Sequence, residues 1–480
     1  MENNEEWVRE ATENFHQGDS NRAHAFLGAH QCGDRVVFRV FLPGAARVSV
    51  CGDFNSWDVL ATPMQCITQG GIWEASVPAD QIREGQWYKY RVVYGDSDRL
   101  IADPYAACMQ TPPDTASEWR SLDGFEWSDG TWLDYRAREL SRCNIDDRAI
   151  NSYRLSLGAW RRREDGSCLS YGEAADELAV YVKQMGYTHV EPVGVCAPTV
   201  SEGLVTGAFA PVADFGAPKD FMKFVDRMHE AGVGVILDWS VASHLPDEIS
   251  PEERSFLLSS AAFWCEVYHI DGLRMPKGAH ADAVDRMLEE SFPDVLSVTE
   301  ERPPRTERSE DASMDALRVR LLRMMTLPGK KRLVMGCEFG VLRSVCDAVD
   351  WSLTNQDMHA AFRRFTAELN HFYLETPALW EGSGEDCIES IDTADEVSAY
   401  RRRSLDGQAV TVAINPADGE RAVTLPLSAG RYRVAVDTDE ARFGGMAEPR
   451  GVLTSEGNAL TLTLSPVSAL ILIPEQTKSN

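Results

Sequence analysis

The chain has 480 residues, enough for about two to four domains, and 44% of them are hydrophobic, as ordinary globular cores require. Its formal net charge of −28 at pH 7 argues against binding to nucleic acid or to an anionic membrane surface. The eleven cysteines form no C-x-x-C pair, which favours reduced thiols in a cytoplasm over a disulfide framework or a zinc site. The first residues lack the pattern of a signal peptide, and no apolar run reaches the length of a membrane span.

The first part of the chain predicts a short helix or loose tail followed by a β-sandwich. Residues 1–20 are polar and charged, and the tail is assigned to them. Several short β-prone segments, separated by Gly, Pro, Asn and Asp, then predict a sandwich over residues 21–125. These segments are 36–43, 46–54, 72–78 and 87–93.

Strand and helix patterns alternate over residues 145–370, which predicts a central parallel (β/α) barrel. Only about six strands can be placed there, so the barrel is truncated relative to the usual eight. Residues 375–476 contain alternating or apolar β-prone segments and predict a C-terminal β-sandwich. The predicted fold is therefore multidomain, with a truncated barrel flanked by two sandwiches.

Residues 268–278 read Y-H-I-D-G-L-R-M-P-K-G, residues 51–57 read C-G-D-F-N-S-W, and residues 329–340 read G-K-K-R-L-V-M-G-C-E-F-G. Two further segments are W-Y-K-Y at 87–90 and A-D-P-Y-A at 102–106. Together these motifs resemble those of glycogen (1,4-α-glucan) branching enzymes of the α-amylase clan. In that family a starch-binding module similar to carbohydrate-binding module family 48 precedes the barrel. The resemblance runs through roughly residues 21–475 in family order.

The resemblance implies a catalytic site that is only partly kept. The family's R-V-D motif contains its active-site arginine and its nucleophile, and the corresponding residues here are Arg274 and Pro276. Glu300 matches the family's acid/base glutamate. The alternative is that Glu300 is only a residual acid at a strand end, paired with Arg274. Proline has no side-chain oxygen and cannot form the glycosyl ester of a retaining mechanism. The family's S-H-D-E segment, which carries a third carboxylate, is missing between Glu301 and Leu317.

Other positions implied by the resemblance are candidate glucan contacts. Asp238 and His244 match residues near the family's sugar site, although holding the fold is their alternative role. The sugar-lining loop after the second strand is changed to S-E-G-L-V-T-G-A-F-A-P at 201–211. In the module, Trp57 is a candidate for stacking on glucose rings, with Asn55 beside it, and packing inside the protein is the alternative. Residues 95–99, where some such modules carry a second stacking aromatic, read G-D-S-D-R.

Three hypotheses follow. The chain is a catalytically inactive homologue that binds α-glucan or regulates glycogen metabolism, an active branching enzyme with a non-standard site, or a protein that keeps only the fold for a structural or assembly role. Pro276 favours the first over the second. The expected partner is an α-glucan such as glycogen, while a protein of glycogen metabolism and self-association stay open. No cofactor and no metal are expected.

The shortened barrel carries a topological prediction of its own. A short Pro-rich link and one helix join the fifth strand to the last, which suits a right-handed crossover between neighbouring parallel strands. Residues 295–299 are therefore expected to lie beside residues 332–336, in a smaller closed barrel or an open one with a covered edge.

Overall fold

The computed structural model describes residues 5–111, 113–142, 148–278, 280–300, 313–342, 344–382, 387–393 and 396–475. It confirms the predicted fold class: a parallel half-barrel sheet of six strands accompanies N-terminal and C-terminal antiparallel sheet domains. The chain divides into two compact units. Unit 1 comprises Met1–Arg136, Arg162–Glu177 and Glu191–Pro304, and unit 2 comprises Ala137–Arg161, Leu178–Val190 and Arg305–Asn480.

The N-terminal part of unit 1 is a helix followed by two antiparallel sheets. One sheet has the strand order β1-β2-β5-β4, and the other has the order β3-β6-β7 with β8 paired to β6. Alternate side chains of the two sheets form one apolar core, as strand geometry requires. The elements are α1 (Glu5–Gln17), β1 (Gly28–Cys32), β2 (Arg35–Phe41), β3 (Arg47–Gly52), β4 (Gln65–Cys66), β5 (Ile72–Pro78), β6 (Trp87–Tyr94), β7 (Ser97–Ile101) and β8 (Ser117–Glu118).

The central sheet is built from strands that alternate with helices. The helices are α2 (Gly130–Arg142), α3 (Leu157–Trp160), α4 (Tyr171–Gln184), α5 (Pro218–Glu230), α6 (Pro251–Val267), α7 (Ala281–Ser291), α8 (Met314–Thr326) and α9 (Asp357–Glu375). The strands are β9 (Asn151–Ser156), β10 (His189–Val193), β11 (Thr199–Ser201), β12 (Leu204–Thr206), β13 (Gly234–Asp238), β14 (Gly272–Pro276), β15 (Leu296–Glu300) and β16 (Lys331–Val334). The sheet order is β15-β14-β13-β10-β9-β16, and β11 and β12 form a separate hairpin.

The start of α6 shows why a helix begins where it does. Ser250 is its N-cap, with its hydroxyl accepting from the Glu253 backbone N–H, and the Glu253 carboxylate accepts from the Ser250 backbone N–H. Pro251 occupies the first helical position, where its missing N–H is not needed. The apolar side chains of α6 are buried, so the helix is held by packing inside unit 1.

The prediction that residues 295–299 lie beside residues 332–336 is wrong. Strands β15 and β16 occupy opposite edges of the central sheet, with β15 paired to β14 and β16 paired to β9. The handedness rule for crossovers does not limit how far a connection travels across a sheet. In unit 2 the buried Arg318 on α8 donates to the Thr438 and Phe443 carbonyl oxygens, which fixes α8 to the C-terminal domain before β16 begins. Residues 301–312 of the link lie outside the described residues.

Unit 2 contains a fully buried carboxylate next to β16. The carboxylate of Glu338 accepts hydrogen bonds from the hydroxyls of Tyr153 and Tyr181, each at 2.7 Å. Burial raises the pKa of Glu338, and the two tyrosine hydrogen bonds oppose the rise. This glutamate therefore anchors the residues that follow β16 to β9 and to α4 of the same unit.

The C-terminal domain of unit 2 is made of two antiparallel sheets. The larger has the order β17-β18-β19-β24-β21-β22, and β20 pairs with β23 in the smaller. Apolar side chains that alternate along these strands form its core. The strands are β17 (Ile388–Ile391), β18 (Ser398–Arg403), β19 (Ala409–Asn415), β20 (Arg421–Leu425), β21 (Gly430–Asp437), β22 (Val452–Ser455), β23 (Leu460–Leu464) and β24 (Ser468–Pro474).

Candidate functional site

Four of the predicted site positions meet at the C-terminal ends of neighbouring strands in unit 1. Asp238 ends β13 and is in register with Arg274 of β14. Pro276 ends β14 and is in register with Glu300 of β15. Because residues opposite each other in neighbouring strands share a face, these four positions lie on one face of the sheet. The side chain of Glu300 lies outside the described part of the structure.

Arg274 is held by a carboxylate that the sequence analysis did not single out. Its Nε lies 2.7 Å from Oε1 of Glu191, which is fully buried in β10. A buried ion pair of this kind fixes the guanidinium in one place, since separating the two charges in a low-dielectric interior is costly. Glu191 could have been recognised in the sequence, because a lone carboxylate inside an apolar strand must find a partner.

Pro276 decides what this face can do chemically. Retaining glycosidases place a nucleophilic carboxylate and an acid/base carboxylate on either side of the scissile bond. Here the strand end beside Glu300 carries an exposed pyrrolidine ring with no oxygen to attack the anomeric carbon. Asp238 is one strand further away, in register with Arg274.

His244 lies apart from these strand ends, in a short 3-10 helix formed by Val241–His244. Its Nδ1 donates to the Ser240 carbonyl oxygen at 3.0 Å, and the side chain lines a cavity of about 610 Å³ within unit 1. The same cavity is lined by Leu204 and Val205 of β12. The cavity lining is mixed, because it also includes the charged residues Arg99, Glu202 and Glu252.

The hairpin of β11 and β12 reaches the N-terminal sheets of the same unit. Glu202 at its tip has a φ of 53°, in the left-handed region, and its carboxylate lies 3.0 Å from the guanidinium of Arg99. The Arg99 guanidinium in turn lies 5.6 Å from the centre of the Tyr94 ring. The hairpin thus contacts β7 through the ion pair of Glu202 and Arg99.

Trp57 and Asn55 occupy the turn that follows β3. Asn55 accepts from the Gly52 backbone N–H and donates to the Val50 carbonyl and the Thr62 hydroxyl, so its side chain shapes the turn. Ser56 and Trp57 both have left-handed backbones, with φ values of 55° and 59°. The turn leaves 36% of Trp57 exposed, which makes its indole available for stacking.

A second cluster of ionisable side chains lies at the opposite, N-terminal ends of β13 and β14. Asp271, just before β14, accepts from four donors: the indole of Trp132, the guanidinium of Arg136, the ring of His229 and the backbone N–H of Val235. All four distances lie at 2.7 or 2.8 Å. Every lone pair of this buried carboxylate is therefore used.

His229 is clamped between two carboxylates in this cluster. Its Nε2 faces Asp271 at 2.8 Å and its Nδ1 faces Asp129 at 3.0 Å, so both nitrogens act as donors and the ring is charged. Burial, the largest influence, lowers its pKa, but the carboxylates of Asp271 and Asp129 outweigh it and raise the pKa to about 9. The same contacts hold the pKa of Asp129 well below its usual range, against the effect of burial.

Two parts of the chain match models of known domain families. Residues 26–106 match carbohydrate-binding module 48, described as the isoamylase N-terminal domain. Residues 388–475 match the C-terminal all-β domain of α-amylase. The first match contains β1 to β7, and the second contains β17 to β24.

The chain is 30% identical over 613 residues to a 1,4-alpha-glucan branching enzyme, GlgB, from Rhodospirillum rubrum, covering 94% of this chain and 82% of the relative. The chain belongs to the 1,4-α-glucan branching enzyme family. A second branching enzyme, from Halothermothrix orenii, is 27% identical over 621 residues, covering 96% of this chain and 98% of the relative. That alignment is longer than the 480-residue chain, so this member of the branching-enzyme family lacks internal segments that its relative contains.

Solved structures share the fold of this chain at low sequence identity. The Group B Streptococcus pullulanase SAP superposes with a TM-score of 0.72 at 14% identity, covering 94% of this chain and 88% of that one. A pullulanase from Anoxybacillus sp. in complex with maltotriose gives a TM-score of 0.70 at 15% identity, with coverages of 97% and 87%. Both likenesses concern the fold alone.

Neither a membrane-spanning helix nor a metal-binding cluster is found within the described residues. No helix there is both long enough and apolar enough to cross a membrane. No group of three or more His, Cys, Asp or Glu side chains is arranged there to hold a metal ion.

Proposed function

We propose that this chain is a member of the branching-enzyme family that binds α-glucan without branching it. The observation that carries the proposal is Pro276, which stands at the end of β14 where the family motif has its nucleophile. Without a carboxylate there, no glycosyl-enzyme ester forms, and the donor chain cannot be held for transfer to an acceptor.

The surroundings of the strand ends support the same proposal. The sequence contains no S-H-D-E segment, so the family's third carboxylate has no counterpart in motif form. The loop that lines the family's sugar site forms the β11–β12 hairpin, and its Leu204 and Val205 face the cavity beside His244. Asp238, Arg274 and Glu300 are then residual members of a former site, with Arg274 held by Glu191.

Glucan binding is assigned to the N-terminal module. Residues 26–106 match a carbohydrate-binding module, and its Trp57 is exposed on a turn held by Asn55. An exposed indole can stack on the apolar face of a glucose ring, and such a contact contributes about 1–2 kcal/mol. We place the protein in the cytoplasm with glycogen as its polysaccharide, a setting consistent with free thiols at the described cysteines.

The catalytic half of the proposal is tested with amylose. Purified protein is expected to form no α-1,6 linkages above a no-enzyme control, measured by iodine staining and by chain-length analysis after debranching. Pro276→Asp alone is expected not to restore activity, because the missing segments would still be absent. Branching by the wild type that is abolished in Glu300→Gln would show an active non-standard site and overturn the proposal.

The binding half is tested by co-sedimentation with glycogen. Trp57→Ala is expected to lose most of the binding, while Trp57→Phe, which keeps an aromatic face, retains a larger share. Thermal melting of each variant checks that the module is folded. Equal retention of the wild type and Trp57→Ala would leave the chain with the family fold and no assigned glucan surface.

A further inference from the structure

A single carboxylate in the N-terminal module joins two exposed tryptophans. Asp53 Oδ1 accepts from the indole Nε1 of Trp57 at 2.9 Å, and Asp53 Oδ2 accepts from the backbone N–H of Trp87 at 2.9 Å. Trp57 is 36% exposed and Trp87 is 41% exposed. Within the described residues no other tryptophan is this exposed.

The backbone brings the two residues together at one end of a sheet. Gly52, the last residue of β3, is in register with Tyr88 of β6. A Cβ atom added to Gly52 would lie 2.3 Å from the carbonyl oxygen of Trp87, so only glycine permits this approach. The turn that carries Trp57 is therefore packed against the beginning of β6.

The outward face of β6 continues the same surface. Trp87 and Lys89 alternate with Tyr88 and Tyr90, which are buried in the core of the two sheets. Lys89 is half-buried, and its ammonium group donates to the Thr115 hydroxyl at 2.9 Å. An exposed indole and a hydrogen-bond donor thus lie two residues apart on one face, the combination that suits a sugar ring and its hydroxyls.

The far end of β6 is occupied by other contacts. Tyr94 lies against the Arg99 guanidinium, and Arg99 is paired with Glu202 of the β11–β12 hairpin. Tyr94 at the end of β6 and Arg99 in β7 are therefore committed to contacts within unit 1. A glucan that stacks on Trp57 has its open path toward the start of β6, where Trp87 lies.

We propose that Trp87 is a second stacking residue for a linear α-1,4-glucan, and that Trp57, Trp87 and Lys89 form one binding surface organised by Asp53. The inference rests on the proposed glucan binding through Trp57 and adds a residue that the sequence analysis did not identify. The two indoles stack on different glucose units of one chain, and Lys89 donates to a hydroxyl between them. Rings fixed in advance by Asp53 lose little conformational freedom on binding.

Isothermal titration of the full-length protein with maltoheptaose tests the inference. Trp87→Ala is expected to raise Kd about 5- to 30-fold, the range that corresponds to loss of one stacked aromatic. Trp87→Tyr is expected to keep most of the affinity. Leu100→Ala is the matched control, because Leu100 is 42% exposed and lies opposite Arg91 on the same outward face but offers no ring. Its Kd is expected to stay within about twofold of wild type.

The outcomes separate the inference from the proposed function. If Trp57→Ala weakens binding and Trp87→Ala does not, the role of Trp87 is overturned and glucan binding stands. If wild-type protein binds maltoheptaose but neither alanine variant is affected, the whole surface is wrong. If wild-type protein binds neither maltoheptaose nor glycogen, the proposed function fails and the inference fails with it. Circular dichroism and melting temperatures confirm that each variant is folded.

Discussion

The two ends of β14 differ in the side chains that they carry. At its N-terminal end, Asp271 uses all its acceptor sites on Trp132, Arg136, His229 and Val235. At its C-terminal end, five residues later, Pro276 stands where the family carries its nucleophile. In barrels of this kind the C-terminal strand ends carry the chemistry and the N-terminal ends carry stability. The comparison teaches that the two ends can differ independently: β14 is anchored by a carboxylate at its N-terminal end and carries none at its last residue.

The largest effect is expected from breaking the anchored end. Asp271→Asn turns two acceptor sites into a donor group and takes from buried Arg136 and His229 one of the two carboxylates that each contacts, so the free energy of unfolding should fall by about 3–5 kcal/mol. Urea unfolding followed by tryptophan fluorescence measures it. Asp294→Asn is the control, because Asp294 contacts the same arginine but is partly exposed, and its loss should be smaller. A change below about 1 kcal/mol for Asp271→Asn would show that this end does not anchor the strand.

A smaller effect is expected from pH acting on the same cluster. The folded-state pKa of His229 is raised from 6.5 to about 9, so its contribution is fully present below 6.5 and is lost as the pH rises through 9. The shift corresponds to at most about 3–4 kcal/mol. The stability difference between wild type and His229→Gln should therefore shrink between pH 6 and pH 10.

The measurement is made as a difference because another group acts in the opposite sense. Burial lowers the pKa of Lys331 to about 7, so this lysine favours the folded state more as the pH rises. Lys331 is present in both proteins and cancels from the comparison. A wild-type advantage that stays constant from pH 6 to pH 10 would mean that His229 is not charged by its two carboxylates.

The smallest effect is expected at the eroded end. Replacing the buried pair together, as Glu191→Leu with Arg274→Met, should change the free energy of unfolding by less than about 1 kcal/mol, because apolar side chains of similar volume remove the desolvation penalty of both charges. Glu191→Leu alone should be much more costly, since it leaves the Arg274 guanidinium buried without this partner. If the double variant is as unstable as the single one, the ion pair stabilises the fold. Both ends of β14 would then contribute to stability.

Periodicity and turn residues were sufficient to predict the fold class, because each of the six strands carries its own apolar pattern and each sandwich its own turn signals. These patterns were not sufficient to predict the order of the strands in the central sheet. The link after β15 predicted that β16 would be its neighbour, whereas β16 pairs with β9. Helix α8, which precedes β16, contacts residues more than a hundred positions later through Arg318. Contacts at that sequence separation leave no local signal.

The candidate site was predicted unevenly for a similar reason. Arg274, Pro276 and Glu300 follow from a motif and stand at adjoining strand ends, although their roles stay predictions. Glu191 was missed because it is a single residue inside an apolar strand, visible only to the argument that a buried carboxylate needs a cation. Trp87 was missed because the W-Y-K-Y motif was interpreted only as evidence for the family. The alternation of side chains along β6 places Trp87 and Lys89 on its outward face.

The pairing of β9 with β16 has a consequence for the chain as it is made. The Ser152 hydroxyl and the Lys331 carbonyl, joined across these strands, are 179 residues apart. At a synthesis rate of about 5–20 residues per second, the edge of β9 waits on the order of ten to forty seconds for its partner, while the N-terminal sheets already have all their strands. During that interval the nascent protein carries an unfinished sheet edge that other chains could pair with. All strands of the N-terminal sheets are therefore synthesised long before the central sheet can be completed.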